Sequence, residues 1–266
     1  MACTTPSLWV CPLSPFRTAP TRMTSPRARL TGTAFGLGVG PGDPELVTLK
    51  ALRLLRAAPV VAYPAPEDGE SFARAIVAEH LRPGQREIAI RVPMVAERFP
   101  AQAVYDAAAA EIGTVLAGGG DVAILCQGDP FFYGSFMYLF ERLADRFPVT
   151  IVPGVSSLTA CAAAAALPLA QRSETLTVIP ATLEEEALAR RLAAAEAAAI
   201  IKLGRHFAKV RRVLERLGLA GHARYVERAS LPNQRVLDLA AVNADSVPYF
   251  AMLLVTGTAR REAGGR

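Results

Sequence analysis

The chain has 266 residues, of which 52% are hydrophobic and 20% charged; this is enough to bury one large core or two of roughly 100–130 residues each, and it excludes a chain disordered throughout. Its 20 glycines and 20 prolines fall at turn-like positions along the whole sequence, which excludes a collagen-like or low-complexity tract. The formal net charge is +5, from 29 basic and 24 acidic residues, but Arg17, Arg22, Arg27 and Arg29 stand in an acid-free stretch, which leaves 25 basic against 24 acidic residues in 31–266 and a near-neutral body ill suited to sequence-independent nucleic-acid binding.

Residues 1–30 lack a signal-peptide pattern, because the short apolar stretch Leu8–Val10 is broken by Pro6 and Pro12 and has no basic flank before it. Their Arg, Ser, Thr and Pro content resembles a transit peptide; the preferred reading is that Met23 is the start and 1–22 a mis-called extension, with 1–30 as a whole expected to be a disordered extension. A first strand is expected over 33–39, running into the loop Gly40-Pro41-Gly42-Asp43. A helix should follow at once, with Asp43 as its N-cap, Pro44 at its first position, and Leu46, Leu49, Leu52 and Leu55 at helical spacing. Strands are expected at 58–63 and 87–92 with a helix over 71–80 between them, then an alanine-rich helix over 100–116. The turn Gly118-Gly119-Gly120-Asp121 leads into a strand at 122–126 that ends in Gln127-Gly128-Asp129-Pro130. A helix over 134–146, a strand at 149–152 and a helix ending at Leu167 follow. The remainder predicts strands at 176–179, 198–202, 223–227 and 250–255, with helices over 183–195 and 206–217. Alternation at this interval means βαβ units and a parallel sheet whose strands are apolar throughout. The boundaries adopted are 31–150 for an N-terminal α/β domain, 151–258 for a C-terminal one, and 259–266 for a tail.

No apolar run reaches the roughly 18–20 residues of a membrane span; the longest, 158–167, is stopped by Pro168. Cys3, Cys11, Cys126 and Cys161 form no CxxC pair, and His80, His206 and His222 are scattered, so neither a metal site nor a disulfide framework is expected and a reducing cytoplasm fits. Lys209, Arg211, Arg212 and Arg216 at helical spacing read as a solvated helix face.

Three glycine-rich turns stand where apolar strands end, and in open α/β sheets the crevice beyond the carboxyl ends of the strands is where ligands sit. Any one of them alone is explained as well by a tight strand-to-helix turn; three at three strand ends point to a ligand. In the first, glycine recurs at 36, 38, 40 and 42 with Pro41 and Asp43 out of register, so G-x-G-x-x-G is not matched, and no Gly-Lys-Ser/Thr follows. A dehydrogenase or P-loop NTPase is disfavoured.

GLGVGPGDPELVTLKA (36–51) and QGDPFFYGSFMYLFERL (127–143), followed in order by VPGVSSLTACAAAAALPL (152–169), IKLGRH (201–206), YVERASLPNQRV (225–236) and PYFAMLLV (248–255), resemble the successive motifs of the tetrapyrrole methylases. Within that family FFYGSFMYLFERL, KLGRH and the YVERAS block resemble the branch that methylates C20 of precorrin-2. Tyr63 is followed by Pro64 and not by the Asp of the uroporphyrinogen-methylating branch, which counts against uroporphyrinogen III as substrate.

The resemblance implies two α/β domains, a parallel N-terminal sheet and a mixed C-terminal one, with S-adenosylmethionine folded into a trough between them, and a homodimer with no nucleic-acid or membrane partner. Carried over position by position, the donor site comprises Pro41, Gly128, Asp129 with Phe132 just after, Ser156, Ser157, Leu203 and Ala229. A carboxylate such as Asp129 suits a sulfonium cation, although an N-cap or Asx turn before Pro130 explains it too; Phe132 and Leu203 can line an adenine slot. The substrate's carboxylates call for cations at the rim, and Lys202 and Arg205 are the candidates, against the plainer reading of solvated surface charges. No catalytic base is identifiable. Alternatives are the same fold acting on cobalt-precorrin-2, a diphthamide precursor or ribosomal RNA, and, from another class, a non-catalytic nucleotide-binding regulatory module.

Overall fold

The computed structural model describes residues 31–92 and 98–256, and of 98–101 only the backbone; the expectations for residues 1–30 and 259–266 fall outside the described residues. The first sheet collects β1 (Ala34–Gly38), β2 (Val60–Pro66), β3 (Arg86–Val92), β4 (Val122–Cys126) and β5 (Val149–Val152) in the order β3-β2-β4-β1-β5, and every pairing is parallel. Parallel neighbours need crossovers, supplied by α1 (Leu49–Ala57), α2 (Phe72–Ile76), α3 (Arg98–Ala117) and α4 (Phe136–Leu143). Alternation along the strands divides the core in two. Ala34, Ile124 and Ile88 face Ile112, Leu116, Leu139 and Leu143 of α3 and α4; Leu37, Val61 and Leu125 face Leu55 and Ile76 of α1 and α2. Both faces are covered over the inner strands, so β1, β2 and β4 are apolar throughout, whereas the edge strand β3 (REIAIRV) alternates and exposes Arg86, Glu87 and Arg91, a departure from the expected all-apolar strands.

The chain then crosses to a second sheet. α5 (Ser157–Ala164), α6 (Glu185–Ala194) and α7 (Phe207–Arg216) flank β6 (Leu176–Pro180), β7 (Ala197–Ile201), β8 (Ala223–Glu227), β9 (Arg235–Asp238) and β10 (Ala251–Val255), ordered β6-β7-β10-β8-β9. Only β6 and β7 pair in parallel; the other pairings are antiparallel, so the sheet is mixed. In β7 Ala198 and Ile200 pack on α6 and α7, whereas Ala199 and Ile201 pack on α5.

Two elements depart from the sequence-based expectation. The helix after the first loop is split. Asp43 caps only the short 3-10 turn Pro44–Leu46, and the α-helix starts afresh at Leu49 behind Thr48, whose hydroxyl accepts from Ala51 N at 3.2 Å. The leucine periodicity runs across that break, which leaves Leu49 85% exposed. β9 was not anticipated: four residues, RVLD, on a sheet edge and mostly exposed, carry no buried stripe to announce them. The basic residues of α7 have partners: Arg212 and Arg216 pair with Glu185 and Glu186 of α6 at 3.0 and 2.8 Å, Arg211 donates to the Leu239 carbonyl at 3.0 Å, and Lys209 donates to the Leu183 carbonyl.

Candidate active site

The loops that leave β1, β4 and β5 meet at the carboxyl edge of the first sheet, and they meet through backbone. Gly128 N donates to Gly40 O at 2.7 Å, and Gly40 N returns the bond at 3.4 Å. A Cβ placed on Gly154 would lie 2.1 Å from Gly128 O, and one on Gly38 would lie 2.5 Å from Gly154 N. No side chain fits at either position, which is why glycine stands there. Gly128 is different: a Cβ there would meet nothing nearer than 3.9 Å, but its φ of +67° lies in the left-handed region. Asp129 completes the junction, with Oδ1 accepting from Phe131 N at 2.9 Å and Oδ2 from Gly154 N at 3.1 Å. Oδ1 closes an Asx turn and Oδ2 reaches the third loop, so both oxygens are engaged by backbone and the role the geometry supports is to tie the second loop to the third. Ser156 caps α5, its hydroxyl accepting from Leu158 N at 3.2 Å.

A cavity of about 370 Å³ lies beside this junction, between the two sheets, within the size range of small-molecule sites. Pro41 and Gln127 wall it from the first sheet, Ser157 and Cys161 from α5, and Ala229 and Met252 from the second sheet. Phe72 and Phe250 also line it, stacked on each other with ring centroids 5.2 Å apart. Burial pushes the Cys161 thiol up to about 12, so it remains a neutral, apolar wall. A shallower depression of about 520 Å³ runs along α5 past Ala162, Ala166 and Leu167; it lacks convergent polar groups and lies away from the glycine junction.

The loop after β8 reaches back to the first sheet. Asp43 N donates to Ser230 Oγ at 3.1 Å, and a Cβ on Gly42 would sit 2.8 Å from the Leu231 side chain. Arg228 and Ser230 hold left-handed φ values of 51° and 68°. Glu227, 3% exposed, anchors this loop: it accepts from the Tyr225 hydroxyl at 2.5 Å, and Arg235 and Arg228 approach it at 3.3 and 3.6 Å. Burial, and then the bond to Glu227, raise the Tyr225 hydroxyl well above its usual range. This group was missed from sequence; its one trace is an acid that ends an apolar run and directly precedes an arginine.

Of the eight expected donor residues, Pro41, Ser157 and Ala229 line the cavity, while Gly128 and Asp129 build the junction beneath it. Leu203 is 0% exposed, packed in the core under α7 with Phe207 and Val210. Phe132 is exposed and sits edge-on to Tyr133, with centroids 5.2 Å apart, on the rim and not in the cavity. An apolar residue type does not say which face it takes. Lys202 leaves the end of β7 with its ammonium 5.5 Å from the centre of the Tyr133 ring, and Arg205 is exposed in the turn that follows. Neither forms an ion pair among the described residues.

Residues 34–242 match the family described as Tetrapyrrole (Corrin/Porphyrin) Methylases. The chain belongs to this family. It is 47% identical over 238 residues to "Cobalamin biosynthesis protein CobIJ" of Mycobacterium tuberculosis (strain ATCC 25618 / H37Rv), an alignment covering 86% of this chain and 47% of that protein, so this tetrapyrrole methylase spans about half the length of that relative. It is 42% identical over 234 residues to "Precorrin-2 C(20)-methyltransferase" of Sinorhizobium sp, covering 85% of this chain and 96% of the relative. Among solved structures, uroporphyrin-III C-methyl transferase from Thermus thermophilus complexed with S-adenyl homocysteine superposes with a TM-score of 0.63 at 27% identity, covering 86% of this chain and 99% of that one.

Proposed function

We propose that the chain is an S-adenosylmethionine-dependent C-methyltransferase that methylates C20 of precorrin-2 in cobalamin biosynthesis. The observation that carries this reading is the 42% identity to a precorrin-2 C(20)-methyltransferase over 96% of that protein's length. The glycine junction and the cavity beside it fit the donor. Gly38 and Gly154 leave no room for side chains, so the three loops close on one another backbone to backbone, and the cavity beside them offers apolar Met252, Ala229 and Pro41 with polar Gln127 and Ser157.

When bound, the donor would supply an electrophilic methyl: its bond to sulfur breaks with the electron pair staying on sulfur as the new bond to C20 forms, and the proton displaced from C20 is released to solvent. The chain's residues position and exclude water. Phe72 and Phe250 wall the cavity with stacked rings, and the loop bearing Ala229 is held against the first sheet by the Asp43 N bond to Ser230 Oγ and by Leu231 packed at Gly42. Fixing two reactants in a near-attack geometry is worth up to about 7–11 kcal/mol, and an electron-rich reduced macrocycle needs little further activation. Lys202 and Arg205 are taken as the substrate rim. A homodimer and a cytoplasmic location belong to the same proposal, supported by the family resemblance, by the prevalence of symmetric homo-oligomers and by the buried free thiols of Cys126 and Cys161.

The test is transfer of an isotope-labelled methyl from donor to metal-free and to cobalt-loaded precorrin-2, read by mass and by the NMR position of the label. Label at C20 of the metal-free substrate is expected. Preference for the cobalt-loaded form would move the enzyme to the alternative substrate, and donor binding without transfer to any tetrapyrrole would favour a non-catalytic module.

A further inference from the structure

Four of the six non-glycine residues with positive φ among the described residues, Tyr133, Lys202, Arg228 and Ser230, lie in loops at the cleft between the two sheets. Such conformations cost of order 1–2 kcal/mol each and persist where the surroundings impose them, characteristically at functional sites. Arg228 and Ser230 are accounted for by Glu227 and by the contact with Asp43. Tyr133 and Lys202 have no such structural purpose.

Tyr133, at φ +56°, is 46% exposed. Its loop is firmly founded. Asp129 ties the base, a Cβ on Gly134 would lie 2.7 Å from Cys126 Sγ and from two backbone oxygens, and Phe131 is packed edge-on against Phe140 of α4, with centroids 5.1 Å apart. A rigid base therefore holds an unfavourable backbone angle in order to present a ring that packs on no core. Across the cleft, Lys202 at φ +59° is flipped out between buried Ile201 and buried Leu203, and its ammonium stands over that ring. No carboxylate among the described residues pairs with it, in contrast to Arg212 and Arg216 one helix further on. An unpaired cation above an exposed aromatic face presents, within one contact, the two chemistries of a flat conjugated ring carrying peripheral carboxylates.

We infer that Tyr133 and Lys202 form a two-part recognition element for the tetrapyrrole: the phenol ring stacks on the macrocycle, and the ammonium, held ready by the ring in the empty enzyme, passes to one peripheral carboxylate. This rests on the methyltransferase reading above and adds a specificity residue, Tyr133, that the family motifs did not single out. Phe132, edge-on to Tyr133 and partly exposed, buttresses the ring.

The test uses the full chain and three variants, Tyr133→Gly, Tyr133→Phe and Lys202→Met, with the tetrapyrrole KM, the donor Kd and the melting temperature measured for each. Glycine accepts the left-handed angle without strain, so Tyr133→Gly should melt no lower than wild type while its tetrapyrrole KM rises roughly tenfold, the size expected for a lost aromatic stack; its donor Kd should not move. Tyr133→Phe keeps a ring face and should fall between wild type and Tyr133→Gly. Lys202→Met should raise the same KM and flatten its dependence on ionic strength. A Tyr133→Gly enzyme with unchanged tetrapyrrole KM overturns the inference, as does one whose KM and melting temperature deteriorate together, since that marks a structural role. A wild-type enzyme that methylates no tetrapyrrole removes the methyltransferase reading itself, a result distinct from any change among the variants.

Discussion

The floor and the lip of the cleft are built by opposite means. At the floor, side chains are missing: Gly38, Gly128 and Gly154 let three loops touch backbone to backbone, and even the charged residue there, Asp129, is occupied by two backbone N–H groups. At the lip, side chains are displayed: Tyr133 and Lys202 are forced outward by left-handed backbone and meet across the cleft. A floor of fixed dipoles suits a ligand common to a whole family, whereas displayed side chains are free to differ between relatives and so to select a substrate.

The largest effect is expected where space is least. Gly154→Ala places a methyl 2.1 Å from Gly128 O in a junction with no flexible neighbour, and should cost roughly 3 kcal/mol or more, read as a drop in the denaturation midpoint together with loss of donor binding. A variant of wild-type stability would break the description of the floor as close-packed backbone.

Next is the buried anchor. Glu227→Ala strands the Tyr225 hydroxyl inside the second sheet and releases Arg228 and Arg235. Because both guanidinium groups are about half exposed, the loss should be about 1–3 kcal/mol and come mainly from the unpaired phenol. Donor affinity should weaken with it, since Ala229 sits on the released loop; a destabilised variant with unchanged donor affinity would detach Glu227 from the site.

The smallest effect belongs to the lip. Raising ionic strength should raise the tetrapyrrole KM and leave donor affinity nearly flat, because exposed charges are screened and backbone dipoles in a cavity are not. Arg205→Ala should imitate salt, by under about 1 kcal/mol, the size of an exposed ion pair. An active Arg205→Ala enzyme with unchanged KM would remove Arg205 from the rim.

The floor was legible in the sequence, as was Lys202 as a candidate rim cation, but Tyr133 and its meeting with Lys202 were not, for a physical reason. Gly38, Gly40, Gly128 and Gly154 follow apolar strands that announce themselves by composition, so local pattern alone marks three loops at one sheet edge. Tyr133 and Lys202 are far apart in sequence, and nothing local says that their loops face each other. Leu203 and Phe132 show the same limit: each is apolar, but the choice between core and rim is made by tertiary packing, which buries one and exposes the other. Leu49 shows the converse, a residue with the right helical spacing that a break at Val47 and Thr48 turns to solvent. The second sheet was read except at β9, whose exposed edge carries no hydrophobic alternation.

The most direct test of the floor as the donor site is a calorimetric titration of S-adenosylhomocysteine into wild type and Gly128→Val, with circular dichroism as the folding control. A Cβ at 128 would meet no atom closer than 3.9 Å, so the first carbon of the side chain has room and the chain should still fold, with a strain of at least about 1–2 kcal/mol from a branched residue at the left-handed angle, while the side chain occupies the space a ligand's backbone contact needs. The expected result is binding to wild type and none to the folded variant. Unchanged affinity in Gly128→Val, or no binding to wild type, would contradict the assignment of these glycine loops to the methyl donor.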